Sequence, residues 1–194
     1  VNSTLDTYIQ DVAESALMRM MVGNNSLHGT AIVMETATGK IKAIANLGKQ
    51  PDGTYTEDLN YGIGKATEPG SIFKLATLMS LMEDKYVTIN SIVDCEGGKK
   101  NFYGLTIRDS HLGYGALTVK DAFERSSNVA FAKLADQYYH SQPSKFINHL
   151  HRYRLDTLTG IDLTASSGKP TIKKPTNRSW ANTTIPYMAH GYEE

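Results

Sequence analysis

The run LATLMSLMEDK, residues 75–85, constrains the fold more than any other stretch of this chain. Leu75, Ala76, Leu78, Met79, Leu81 and Met82 spread around most of a helical circumference. A helix apolar on nearly all sides is normally buried, so other elements must wrap around this one. It opens with EPGSIFK, residues 68–74. At about 3.6 residues per turn, Ser71 and Lys74 lie on nearly the same face, whereas Thr77 and Ser80 drift away from it. Ser71 and Lys74 are therefore neighbours by construction, and the apolar helix carries the lysine inward.

With 194 residues and 40% hydrophobic content, the chain can build one full core or a pair of lobes. Twenty Lys and Arg balance twenty Asp and Glu. No net field draws the molecule to nucleic acid or an anionic membrane, and a small, locally recognised substrate fits better. The lone Cys95 excludes an intrachain disulfide and a thiolate metal site, and is read as an ordinary half-buried residue. No apolar run approaches the roughly 18 residues needed to span a bilayer. The start, VNSTLDTYIQ, has neither the basic nor the apolar region of a signal peptide, and reads as the interior of a longer protein.

Along the chain, Leu5, Ile9, Val12, Ala16 and Met20 fall at helical intervals, which predicts an amphipathic helix over about 5–21 capped by Ser3 or Thr4. Two β-rich runs around ATGK predict a hairpin of about 30–36 and 40–46. Residues 87–117 are rich in Gly and polar residues and read as loops with short extended pieces. Thr118, with Asp121 three residues on, starts a capped segment that runs through VKDAFE into RSSNVAFAKLADQYY, and SKFINHLHRY reads as another helix. The tail from about 156 shows only weak periodicity.

Ser-x-x-Lys occurs twice. In the second instance, Ser166 and Lys169, Gly168 and the following Pro170 argue against a helix, so that pair lacks a fixed geometry. Ser71 differs because it opens an apolar helix. A serine hydroxyl is a poor nucleophile until a base takes its proton, and a lysine serves as that base only when burial or a nearby positive charge lowers its pKa. A second polar cluster, Ser126, Ser127 and Asn128, interrupts an otherwise apolar segment. Two readings stay open for it: a helix break in which Asn128 caps the second half, or a polar face turned toward a cleft.

Taken in order, Ser-x-x-Lys followed by Ser-x-Asn resembles the active-site signature of penicillin-binding proteins and serine β-lactamases. STLDTYIQDVAESAL is similar to the opening helix of the transpeptidase domain of class B penicillin-binding proteins, and METATGKIKAIAN to its first hairpin. EPGSIFK resembles the nucleophile segment, GYGALTVKDAFERSSNVAFAKLA the Ser-x-Asn segment, and TGIDL with AHGYE later landmarks. The resemblance implies an α+β, β-lactamase/transpeptidase-like fold, with a helical subdomain beside an antiparallel sheet. It implies a peptidoglycan D,D-transpeptidase in which Ser71 attacks a D-Ala-D-Ala stem peptide, Lys74 takes its proton, Ser126 relays a proton to the leaving amine, and Asn128 holds Lys74 and substrate. Substrate would touch Ser71, Ser126 and Asn128. β-Lactams would enter as mimics, with no cofactor, metal or nucleic acid involved. The parent protein would be anchored on the outer, periplasmic face of the cytoplasmic membrane by an N-terminal segment absent from this chain, and work with other cell-wall synthesis proteins.

One family motif, Lys-Thr/Ser-Gly, is missing from the sequence. The expectation is that residues 1–194 form the N-terminal part of one transpeptidase domain with an incomplete sheet, acylating slowly and prone to self-association. Two alternatives remain: a serine β-lactamase or β-lactam sensor, and a catalytically silent fragment that acts by association. His149 and His151, two apart, face different sides of a helix and are not read as zinc ligands. Lys99, Lys100, Lys173 and Lys174 are read as solvated loop charges, and Trp180 as a packing residue.

Overall fold

The hairpin forms around ATGK, where the two β-rich runs place it. In the computed structural model, which describes residues 3–163 and 170–192, strand β1 (His28–Met34) pairs antiparallel with β2 (Ile41–Lys49), following α1 (Thr7–Asn24). Gly39 closes the turn with φ 71°, a left-handed conformation that glycine adopts without a Cβ penalty. A short third strand, β3 (Tyr55–Glu57), pairs with the far end of β2, and a single helical turn, α2 (Tyr61–Gly64), follows. The described chain divides into two compact units, residues 3–66 with 162–163 and residues 67–161 with 170–192.

Within the first unit, α1 starts later than its periodicity suggests and turns a different face inward. Asp6, not Ser3 or Thr4, caps it, accepting from the Ile9 N–H at 3.1 Å. Leu5, Val12 and Met20 are exposed, while Ala13 and Met21 are buried. The reason lies in the strand it covers. Gln10 donates to the Ile44 carbonyl at 2.9 Å and accepts from the Ile44 N–H at 2.8 Å, clamping one helix face onto β2. Hydrogen bonds to a partly buried strand backbone outweigh the larger side chains in setting the rotation of this helix.

The second unit opens with a 3-10 turn (Gly70–Phe73) that runs directly into α3 (Lys74–Glu83). Lys74 is carried inward as expected, but most of the apolar residues of α3 are not. Lys74, Thr77, Ser80 and Leu81 face inward, whereas Leu75, Met79 and Met82 are exposed. The buried polar groups are each satisfied: Thr77 Oγ1 donates to the Ala189 carbonyl at 2.9 Å and Ser80 Oγ to the Ala76 carbonyl at 2.8 Å.

The Gly-rich middle forms two small antiparallel pairs, β4 (Ile92–Asp94) with β7 (Ala116–Thr118) and β5 (Lys99–Phe102) with β6 (Leu105–Arg108). Lys99 and Lys100 thus lie on a strand, and Lys100 pairs with Glu96 at 2.6 Å. Thr118 caps α4 (Val119–Glu124) by accepting from the Asp121 N–H at 3.0 Å, as its sequence predicts.

Helix α5 (Asn128–Tyr139) is the centre of the unit. Its alanines at 130, 132 and 135 let neighbours approach closely, and Phe131, Leu134 and Tyr139 fill the core with Phe146 and Leu150. Each large side chain so buried stabilises the fold by about 1.5–3 kcal/mol. Pro143 opens α6 (Pro143–Arg152), and the tail, which shows little periodicity, contains a further short helix, α7 (Thr184–Met188). Cys95 is fully buried within this core, not half-buried, and Trp180 packs against its margin.

Candidate active site

Pro69 and Gly70 deliver the chain into the 3-10 turn, with Gly70 at φ 61°. Ser71 is exposed on this turn, and Lys74, one turn later, is 1% exposed. The Lys74 ammonium reaches four acceptors: Ser71 Oγ at 2.8 Å, the Ser126 carbonyl at 2.9 Å, Ser126 Oγ at 2.9 Å and Asn128 Oδ1 at 2.6 Å. All four residues singled out in the sequence therefore meet at one nitrogen.

The Ser126 side of this cluster depends on a break between two helices. Helix α4 ends at Glu124, and Ser126 adopts φ 55°. A left-handed conformation at a non-glycine residue costs on the order of 1–3 kcal/mol and persists only where its surroundings enforce it. Here it aims both the carbonyl and the hydroxyl of Ser126 at Lys74. Ser127, not Asn128, caps α5, accepting from the Ala130 N–H at 3.0 Å. Asn128 is thereby free to point its amide outward from the first turn: Oδ1 accepts from Lys74, and Nδ2 donates to the Arg108 carbonyl at 2.8 Å.

Burial lowers Lys74 to about 8, because an ammonium loses hydration in the protein interior, while the negative charge of Asp109 acts in the opposite sense. An exposed hydroxyl thus sits against a desolvated amine, the combination that base-assisted attack requires.

A third element closes the back of the turn. The Gly70 N–H donates to the Gly191 carbonyl at 3.0 Å, and a Cβ on Gly191, at φ 91°, would lie 2.0 Å from the Gly70 carbonyl oxygen. His190 lies between this contact and the Thr77 bond to Ala189. Its imidazole is buried between Tyr187 and Tyr192, with no hydrogen-bond partner on either ring nitrogen among the described residues. Burial, reinforced by the Lys74 charge, pushes it down to about 4. The sequence marks Ser127 only as part of the polar triplet and singles out neither Asp109 nor His190. An isolated Asp or His in a weakly periodic segment carries no local signal of burial.

Ser166 and Lys169 lie outside the described residues. His149 is lodged between Glu83 and Asp84, at 3.1 and 2.9 Å, and His151 bonds Asp156 at 2.7 Å. Among the described residues, no group of three or more His, Cys, Asp or Glu is arranged to hold a metal ion.

Residues 29–189 match the family described as penicillin binding protein transpeptidase domain. The chain is 26% identical over 194 residues to the peptidoglycan D,D-transpeptidase FtsI of Escherichia coli, covering 97% of this chain and 32% of that protein. It is 25% identical over 182 residues to the probable peptidoglycan D,D-transpeptidase PenA of Neisseria gonorrhoeae, covering 91% of this chain and 29% of that one. The chain therefore spans about three-tenths of the length of these relatives. Among solved structures, a peptidoglycan glycosyltransferase from Burkholderia ambifaria aligns with a TM-score of 0.78 at 26% identity, over 98% of this chain and 56% of its own. Penicillin-binding protein 3 of Mycobacterium tuberculosis, complexed with aztreonam, shares the fold with a TM-score of 0.78 at 20% identity, over 97% of this chain and 42% of its own. The mixed α and β architecture with small antiparallel sheets agrees with these neighbours, and the chain belongs to the penicillin-binding protein transpeptidase domain family.

Proposed function

We propose that this chain carries the acylating centre of a peptidoglycan D,D-transpeptidase, with Ser71 as nucleophile, Lys74 as base, Ser126 as proton relay and Asn128 as the group that holds Lys74 and substrate. The observation that carries the reading is the convergence of Ser71 Oγ, Ser126 Oγ and Asn128 Oδ1 on the buried Lys74 nitrogen. Neutral Lys74 accepts the Ser71 proton as Oγ bonds to the carbonyl carbon of the penultimate D-alanine. The carbonyl electrons move onto oxygen, facing the Ser71 N–H at the start of the 3-10 turn, where backbone donors lack helical partners. As the C–N bond breaks, Ser126 Oγ gives its proton to the departing D-alanine amine and is refilled from Lys74. An amine from a neighbouring stem then attacks the ester carbonyl, forming the cross-link and returning a proton to Ser71. Asn128 Nδ2 has one hydrogen on Arg108 and a second for the substrate amide.

A β-lactam carbonyl would acylate Ser71 in the same way, but ring opening leaves the amine tethered, so the adduct persists. Peptidoglycan places the reaction on the outer face of the cytoplasmic membrane, in company with other cell-wall synthesis proteins. No helix among the described residues is long and apolar enough to cross a membrane. The test is prolonged incubation of the 194-residue chain with benzylpenicillin, followed by intact and peptide mass spectrometry. A lasting adduct on the peptide holding Ser71 is expected. Rapid turnover without accumulation would favour a β-lactamase instead, and an unlabelled Ser71 would overturn the reading for this chain.

A further inference from the structure

Asp109 lies directly after β6 and is 7% exposed. Its Oδ2 accepts from Ser127 Oγ at 2.9 Å and its Oδ1 from the Val129 N–H at 2.9 Å, while its own N–H donates to the Gly98 carbonyl at 2.9 Å. The preceding carbonyl, that of Arg108, takes the Asn128 amide. Two consecutive residues at the exit of one strand thus grip three consecutive residues, 127 to 129, at the start of α5. That grip fixes the direction from which Ser126 and Asn128 approach Lys74.

The charge of Asp109 matters as much as its bonds. Among the described residues, Asp109 is the one buried carboxylate and Lys74 the one buried ammonium. An unpaired interior charge is costly, and a buried opposite charge offsets part of that cost even without direct contact. The other groups packed around Lys74 are Ser71, Ser126 and Asn128, which are uncharged, and His190, which burial keeps neutral. The Cys95 thiol beside Ser127 is held protonated by burial and so contributes no competing charge.

We propose that Asp109 is a positioning residue for acyl transfer: it orients the Ser126–Asn128 turn and supplies the buried negative charge against which Lys74 holds its proton. Its effect on acylation rests on the transpeptidase reading, whereas its hold on Lys74 does not. Burial drives Lys74 toward releasing its proton and Asp109 opposes that release. The site thereby keeps the amine basic enough to take a proton from serine while leaving it partly neutral near neutral pH.

The test uses Asp109→Asn, which keeps the shape of the side chain and removes its charge. Its Oδ1 still accepts from Val129, and its Nδ2 can donate to Ser127 Oγ, which reverses that bond and turns the Ser127 hydroxyl proton toward Cys95 Sγ; the negative charge is lost while the side chain keeps its size. In the chain without ligand, the Lys74 13Cε titration midpoint should fall by about one pH unit. Asp109→Glu should restore it, while Ser127→Ala should leave the midpoint in place and slow penicillin acylation. In the unsubstituted chain, the Asp109 13Cγ resonance should also show a step at the Lys74 midpoint, a measurement that needs no variant. An unchanged Lys74 midpoint in Asp109→Asn, or the absence of that step, would overturn the proposal. Absence of any penicillin adduct would instead strike the transpeptidase reading, leaving the two titrations to decide on Asp109.

Discussion

Lys74 Nζ lies 2.6 Å from Asn128 Oδ1, a bond between residues 54 apart in sequence that joins the first residue of α3 to the first residue of α5. Both side chains leave the first turn of their helices, so neither distorts a helix interior to reach the other. The left-handed Ser126 lies just before α5 and sends two further acceptors to the same nitrogen.

Ser71→Ala should abolish penicillin labelling, while Ser166→Ala leaves it intact. Lys74→Arg keeps the charge but cannot release a proton at working pH, so acylation should fall by about 10²- to 10⁴-fold with the fold retained. Acylation time courses followed by mass spectrometry, with circular dichroism as the control, check both. Labelling that survives Ser71→Ala would sink the nucleophile assignment, and a rate within a few-fold for Lys74→Arg would sink the base assignment.

The acylation rate should rise with pH as Lys74 loses its proton, with a midpoint at about 8. Linkage gives a matching stability change. Between about 8 and the ordinary lysine value of 10.5, the unfolded chain binds more protons than the folded one. Stability from this group therefore increases as pH rises through that window, and below it the full cost of the buried ammonium is present. Urea midpoints at pH 7 and 9.5, compared with those of Lys74→Met, should show the increase only in the unsubstituted protein.

His190 titrates in the opposite range. Its folded value of about 4 lies below the ordinary 6.5, so the unfolded state takes up the extra proton as pH falls between them. The stability associated with the neutral ring is complete above about 6.5 and is lost on acidification toward 4, by about 2–3 kcal/mol. His190→Phe, which keeps an aromatic ring between Tyr187 and Tyr192, should be spared this loss. The difference in urea midpoint between the two proteins should widen from pH 7 to pH 4.5, and a constant difference would contradict it.

Gly191→Ala tests the packing behind the nucleophile. The added Cβ would meet the Gly70 carbonyl at 2.0 Å with a backbone already in the left-handed region. The Gly70–Gly191 hydrogen bond should break, at a cost of at least about 2 kcal/mol in thermal or urea unfolding. Acylation should weaken with it, because Gly70 immediately precedes Ser71. Wild-type stability and rate in this variant would show that the contact is dispensable.

What the sequence determined is local. The β-rich runs around ATGK fold as the expected hairpin, Thr118 caps its helix through Asp121, and the spacing of Ser71 and Lys74 on one helical face yields their 2.8 Å contact. Each depends on residues a few positions apart, whose geometry the backbone period dictates. The ordered motifs, beyond that, marked Ser126 and Asn128 as partners of the same cluster. Tertiary structure alone decided which faces are buried: the polar side of α3 turns inward because Ser126, Asn128 and Ala189 supply acceptors there, and α1 rotates because Gln10 finds the backbone of β2. It also decided that Ser127 is the cap, and that Asp109 and His190 are buried near Lys74. Their neighbours come from distant segments, and the preference of a buried polar group for a partner, or its shift in proton affinity without one, exists only once those segments pack.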